Sequence, residues 1–137
     1  MKKWLFIPLA FLLAGCGQVR SASESTDAGD EVDAGYKKIT AQEAKRIMDE
    51  DAPYYLLDVR TEEEYAEKRI EGAVLIPHIR IEQEAEDMLP DKDRIILVYC
   101  RSGARSAVAA EALAQMGYTN VYDFGGIIDW PYDTIAH

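Results

Sequence analysis

The sequence contains few of the residues that build metal and cofactor sites. Its 137 residues include two cysteines, Cys16 and Cys100, and two histidines, His78 and His137. These four positions show no spacing typical of a metal site, so we predict no metal. There is no P-loop and no dinucleotide-binding glycine motif, and we predict no cofactor. His78 follows a short apolar segment and a proline, which favours a loop histidine over a catalytic base.

Positive charge is also scarce. The chain has 15 lysines and arginines against 25 aspartates and glutamates, which gives a net charge of −10. A surface of this sign repels nucleic acid, and we predict no nucleic-acid partner. A length of 137 residues and a hydrophobic content of 48% are those of a single globular domain.

The N-terminus resembles a bacterial lipoprotein signal. Lys2-Lys3 precedes an apolar run over residues 4–14, which is shorter than the roughly 20 residues of a membrane-spanning helix. The run ends in Leu13-Ala14-Gly15-Cys16, which is similar to a lipobox. This resemblance implies that Cys16 carries acyl chains such as palmitate and becomes the first mature residue. Ordinary cleavage near Ala22, with loss of Cys16, is the alternative.

These features predict how the chain is divided into segments and where in the cell the protein lies. Residues between 19 and 36 are rich in Ser, Ala, Asp, Glu and Gly, a composition typical of a flexible tether. Residues 1–15 are therefore predicted as signal peptide, 16–36 as lipidated N-terminus and tether, and 37–137 as the domain. More than one acyl chain holds a protein firmly on a membrane, because each buried methylene contributes ~0.8 kcal/mol. We expect an extracytoplasmic, membrane-anchored lipoprotein of a bacterial cell envelope.

The rest of the chain alternates candidate strands with candidate helices. Short apolar segments lie at 38–39, 54–59, 73–76, 95–99 and 121–124. Thr40 and Thr61, each followed three residues later by a glutamate, mark two helix starts. Residues 79–88 are predicted as a charged helix, and Gly125-Gly126 as a turn into the last segment. Alternation of this kind predicts an α/β domain with a mostly parallel sheet and helices on both faces.

The chemistry of the sequence is concentrated in residues 100–106. Residues 95–99 form an unbroken apolar run typical of a buried parallel strand. Residues 106–116 are rich in alanine and end before Gly117, which predicts a helix with Ser106 as its N-cap. Cys100 therefore lies at the carboxyl end of a strand, where open α/β sheets bind their ligands.

The surroundings of Cys100 favour a reactive thiol. Loop N–H groups and a helix N-terminus converge on the sulfur, and Arg101 and Arg105 lie beside it, so we expect Cys100 to be largely thiolate at neutral pH. Gly103 permits the sharp turn that such a loop requires. The alternative is an inert structural cysteine, which the two nearby arginines disfavour.

The loop resembles a known active site. Cys100-Arg101-Ser102-Gly103-Ala104-Arg105-Ser106 is similar to the active-site loop of single-domain members of the rhodanese (thiosulfate sulfurtransferase) family. Asp58-Val59-Arg60, Ile70-Glu71-Gly72-Ala73 and Gly125-Gly126 with Trp130 extend the resemblance in family order. One departure is Lys68-Arg69, where many members carry Gly-His. The resemblance implies a three-layer α/β rhodanese-like domain.

The resemblance also implies roles for individual residues. Cys100 would be the nucleophile that takes sulfur from thiosulfate or a related donor, and the acceptor would be cyanide or a thiol. The substrate-binding residues would be Arg101, Ser102, Gly103, Ala104 and Arg105. Asp58, Arg60 and Ser106 would support the loop, and neither Asp58 nor Arg60 would act as acid or base. A strand-end pair satisfied by nearby backbone is the alternative for Asp58 and Arg60, and it does not conflict strongly with a supporting role.

Two other functions remain open from the sequence. Cysteine-loop phosphatases and arsenate reductases also close a loop on an arginine, usually with seven residues from Cys to Arg, whereas Cys100 to Arg105 is six. No residue is placed as the general acid that a phosphatase requires. The third hypothesis is a membrane-tethered module that binds sulfur or senses redox state without turnover.

Overall fold

Five parallel strands form the centre of the domain. The computed structural model describes residues 35–136, and within them the sheet has the order β1-β5-β4-β2-β3. All four strand pairs are parallel. The strands are β1 (Lys37–Lys38), β2 (Tyr54–Asp58), β3 (Val74–Leu75), β4 (Ile95–Cys100) and β5 (Val121–Gly126). Because the strands are parallel, their carboxyl ends lie along one edge of the sheet.

Helices alternate with these strands and lie on both faces. They are α1 (Ala41–Met48), α2 (Glu62–Glu67), α3 (Ile81–Met88) and α4 (Ala104–Gln115). Two single 3-10 turns, His78–Arg80 and Ile127–Asp129, follow β3 and β5. The result is a three-layer α/β domain, as the resemblance implied.

Two apolar cores hold the three layers together, one on each face of the sheet. The first core contains Ile81 from α3, Leu89 directly after that helix, Leu113 from α4, and Ile96 and Val98 from β4. The second contains residues of the opposite face of the sheet together with α1 and the C-terminal segment: Ala44, Leu56, Leu97, Tyr99, Phe124 and Trp130. Alternate residues of β4 point into opposite cores, so this strand is buried on both faces.

The capping signals in the sequence mark real helix starts. Thr61 accepts a hydrogen bond from the Glu64 N–H at 3.2 Å, and the Glu64 side chain accepts one from the Thr61 N–H at 3.0 Å. These reciprocal bonds form a complete capping box at α2. At α1, Thr40 caps the Glu43 N–H at 3.0 Å. A six-residue helix such as α2 depends on its cap, because it buries none of its own residues.

Four local predictions are wrong. Ser106 does not cap α4, because the helix begins two residues earlier and Gly103 is its N-cap. Gly125-Gly126 is not a turn but the end of β5, paired with Cys100 after a shift in register. The first strand is Lys37–Lys38 rather than residues 38–39. The predicted helix at 79–88 also splits into a 3-10 turn and α3.

Several sequence predictions lie outside the described residues. The signal peptide, Cys16 and most of the tether fall before residue 35, and His137 falls after residue 136. Between residues 35 and 136, no helix combines the length and apolar character needed to cross a bilayer.

Candidate active site

Cys100 is the last residue of β4, and the loop after it bends back over the sulfur. Gly103 makes this bend with φ of 114°, a left-handed conformation that favours glycine. Its N–H then donates to the Cys100 Sγ at 3.0 Å. The first N–H groups of α4 have no acceptor within the helix, and the positive end of the helix dipole lies beside the sulfur. The Cys100 sulfur therefore lies where backbone N–H donors and a helix N-terminus converge.

The sulfur lies at the bottom of the loop rather than on its surface. Cys100 carries a free thiol and is only 1% exposed as a residue. Arg101, Ser102 and Ala104 are exposed around it. An incoming group must therefore present a narrow end to Cys100, while the rest of it contacts the exposed loop residues.

The end of β5 forms one wall of the loop. Cys100 pairs with Gly126, and the Ile128 N–H donates to the Arg101 carbonyl at 3.2 Å. A Cβ added at Gly126 would lie 2.1 Å from the Arg101 carbonyl oxygen and 2.5 Å from the Ser102 Cα. Because Gly126 has ordinary extended dihedral angles, this contact alone requires glycine. The loop therefore packs directly on the backbone of β5.

A buried carboxylate ties the start of α4 to β5. Asp123 is 1% exposed. It accepts hydrogen bonds from the Ser106 hydroxyl at 2.7 Å and the Gly125 N–H at 2.9 Å. Lys38 Nζ is 3.3 Å from its second oxygen. Ser106 is thus an interior residue of α4 that donates to Asp123, not a cap, and its role in supporting the loop stays a prediction.

Arg105 is paired with a residue from a different helix. Its Nη1 and Nη2 donate to Glu64 Oε1 and Oε2 at 2.9 and 3.1 Å, a bidentate pair. Burial of both side chains is partial, with 27% exposure for Arg105 and 22% for Glu64. The same Glu64 completes the capping box of α2. The Cys100 loop and the N-terminus of α2 are therefore joined through one carboxylate.

This pair persists in acid. The hydrogen bonds from Arg105 lower the pKa of Glu64 from 4.5 to about 2, against the opposing effect of burial. Since the folded-state pKa is depressed, the stabilisation from the pair is complete above pH 4.5 and is lost as the pH falls toward about 2. The pKa of Arg105 is raised, first by its hydrogen bond to Glu64 and further by the nearby Cys100 sulfur.

Asp58 and Arg60 form a buried pair beside the loop. Arg60 Nε donates to Asp58 Oδ1 at 2.9 Å and Nη2 to Oδ2 at 2.7 Å, and Nη2 also donates to the Lys68 carbonyl. The Arg60 guanidinium lies 5.6 Å from the centre of the Tyr99 ring. No hydrogen bond in residues 35–136 joins either side chain to residues 100–106, so their role in supporting the loop stays a prediction.

The structure adds three residues that sequence reasoning did not assign to the site: Glu64, Asp123 and Gly126. The sequence identifies Glu64 as the third helical residue of a capping box, but this pattern predicts only the cap and not the contact with Arg105. Asp123 lies in an apolar strand, where an isolated aspartate indicates a buried hydrogen-bonding role. In the described part of the chain, no group of three or more His, Cys, Asp or Glu side chains could hold a metal ion.

Fold and site together define a class of protein. It is a three-layer α/β domain whose parallel sheet ends in a cysteine, followed by a tight loop and a helix N-terminus, at the edge where open α/β sheets bind their ligands. The sequence matches the rhodanese-like domain over residues 40–131, and the chain belongs to that family.

Related proteins place this member among sulfurtransferases. Thiosulfate sulfurtransferase PspE of Escherichia coli is 37% identical over 78 residues, which are 57% of this chain and 75% of that protein. Thiosulfate sulfurtransferase GlpE of Coxiella burnetii is 30% identical over 96 residues, covering 69% of this chain and 87% of that one. These relatives support sulfur transfer as the general activity.

Solved structures agree with the fold. A rhodanese-like domain protein from Staphylococcus aureus has a TM-score of 0.63 at 35% identity, covering 74% of this chain and 98% of that chain. An E. coli rhodanese that was solved with anions has a TM-score of 0.59 at 33% identity, covering 62% of this chain and all of that chain.

Proposed function

We propose that the protein moves sulfane sulfur from thiosulfate or a related donor to a thiophilic acceptor through a Cys100 persulfide. The observation that carries the proposal is the Gly103 N–H bonded to Cys100 Sγ at 3.0 Å, before the N-terminus of α4. Helix N-termini are a usual environment of reactive cysteines, and the thiolate is the nucleophilic form of cysteine.

The reaction takes place in two steps. The Cys100 thiolate attacks the outer sulfur of thiosulfate, the sulfur–sulfur bond of the donor breaks, and sulfite leaves with the bonding electron pair. Cyanide or a thiolate then attacks the outer sulfur of the persulfide, releasing thiocyanate or a product persulfide and restoring the Cys100 thiolate. Charge and electrons balance without a metal or redox cofactor.

The exposed part of the loop suits the anionic end of the donor. Arg101 lies at the loop surface directly after Cys100, and its guanidinium can bind sulfonate oxygens through two parallel hydrogen bonds. Burial of Cys100 favours donors with a terminal sulfur atom over bulky esters.

The phosphatase hypothesis fits the geometry less well. A phosphatase loop presents its arginine to a tetrahedral phosphoryl group. Here both terminal nitrogens of Arg105 donate to Glu64 instead. The six-residue span from Cys100 to Arg105 also makes a smaller ring.

An intact-mass measurement tests the proposed function. Incubation with thiosulfate is expected to add the mass of one sulfur atom to the protein, and cyanide is expected to remove it. An adduct that persists with cyanide and with small thiols would indicate a sulfur carrier instead of an enzyme. Release of phosphate from an aryl phosphate, without any sulfur adduct, would contradict the proposal.

We also propose that the domain is tethered to a bacterial envelope membrane through acylated Cys16. The support is the sequence pattern around Cys16, which lies outside the described residues. A Cys16→Ala variant of the full chain is expected to move from the membrane fraction to the soluble fraction, because the acyl chains supply the anchoring free energy. Ser21→Ala serves as the matched control and is expected to stay on the membrane. Continued membrane association of Cys16→Ala would contradict the lipid anchor.

A further inference from the structure

The Cys100 loop contains two arginines in very different states. Arg101 is exposed, whereas both terminal nitrogens of Arg105 donate to the Glu64 carboxylate. In the described residues, Glu64 is the one acidic partner of Arg105. A guanidinium whose planar fork is satisfied by a carboxylate is poorly available to a second anion of the same geometry.

Glu64 is itself held in place from a second direction. Thr61 donates to Glu64 Oε1 through its backbone N–H at 3.0 Å and through its hydroxyl at 3.1 Å. The carboxylate therefore cannot swing away from Arg105 without opening the capping box of α2. The ion pair between Glu64 and Arg105 is therefore fixed by the fold, because Thr61 holds the carboxylate in position.

We infer that Glu64 determines which anions the loop accepts, by holding the guanidinium of Arg105 away from oxyanions such as sulfate, phosphate and the leaving sulfite. This inference rests on the proposed function and adds to it. A sulfurtransferase must bind the outer sulfur of its donor and then release sulfite. A second free guanidinium beside the sulfur would hold oxyanions in the loop and slow that release.

Glu64→Gln is a suitable test because glutamine at this position keeps the capping box while it removes the charge. The first measurement is calorimetric titration of the resting protein with sulfate at low ionic strength. We expect sulfate to bind the variant about 5-fold more tightly, which is the strength of a partly exposed ion pair. With thiosulfate as donor, KM is expected to fall, and inhibition by sulfate and sulfite to become stronger.

The neighbouring Glu63→Gln is the matched control. It removes one negative charge from the same turn of α2, at an exposed position. Sulfate affinity should therefore change little in this variant. In the double variant Glu64→Gln with Arg105→Ala, the gain in affinity should disappear, because Arg105 is the group that Glu64 releases.

The possible outcomes separate this inference from the proposed function. Unchanged or weaker sulfate binding by Glu64→Gln, an equal gain in Glu63→Gln, or no measurable binding by any variant would each overturn the role of Glu64. A purely structural role predicts a higher KM and no gain in sulfate affinity. Failure of the wild-type protein to take sulfur from thiosulfate would overturn the proposed function alone, since sulfate titration needs no turnover.

Discussion

A Cys100→Ser variant is expected to lose thiosulfate-dependent sulfur transfer by on the order of 10³-fold or more. A neutral hydroxyl is a weak nucleophile unless a base removes its proton. The group bonded to position 100 is the Gly103 N–H, a donor that cannot accept a proton. Serine also cannot form a persulfide. Turnover with thiosulfate and cyanide measures the loss, and intact mass after thiosulfate should show no added sulfur.

The fold of this variant should remain intact, so that the loss can be assigned to chemistry. A serine oxygen can accept the same hydrogen bond from Gly103, and the change in the free energy of unfolding is expected to be about 1 kcal/mol. Urea unfolding followed by circular dichroism measures it. If the variant kept substantial turnover while folded, another group would have to be the nucleophile.

A Gly126→Ala variant is expected to damage the site and the fold together. The new methyl group would overlap the backbone at Arg101 and Ser102, with nearest distances of 2.1 and 2.5 Å. Neither atom belongs to a flexible side chain, so the Cys100 loop itself must move. We expect a loss of about 3 kcal/mol in the free energy of unfolding. Turnover should fall about 100-fold, since a 1 Å displacement of reacting groups has an effect of that size.

Gly72→Ala provides the comparison for Gly126→Ala. Gly72 has φ of 90°, and a Cβ there would meet no atom within 4 Å. The variant should lose about 1–2 kcal/mol from backbone strain and keep normal turnover. Urea unfolding and steady-state assays on both variants separate general instability from displacement of the loop. Normal turnover in Gly126→Ala would show that the loop tolerates a different position relative to β5.

The sequence predicted the parts of the site that are local in the chain. An apolar run, a cysteine, a glycine and an alanine-rich segment specify strand, loop and helix without reference to other elements. The capping box at α2 is local for the same reason, because Thr61 and Glu64 are three residues apart. The parallel sheet followed from the alternation of strands and helices.

The remaining parts depend on contacts between distant segments. Glu64 and Arg105 are 41 residues apart, and Ser106 and Asp123 are 17 apart. The capping box identifies Glu64 as the partner of Thr61, but nothing within a short window identifies it as the partner of Arg105. The error at Ser106 has the same origin: its hydroxyl bonds to Asp123, and α4 begins at Ala104. The reactive residues of the site can thus be recognised in a short segment, whereas the contacts that position them join distant parts of the chain.

The strand order carries a consequence for biosynthesis. β4 lies between β2, which precedes it in the chain, and β5, which follows it. When Cys100 of a nascent chain has left the ribosome, β5 has not yet emerged. Cys100 can pair with Gly126 only after residue 126 has also emerged. The surroundings of Cys100 are therefore completed only after almost the entire domain has been synthesised.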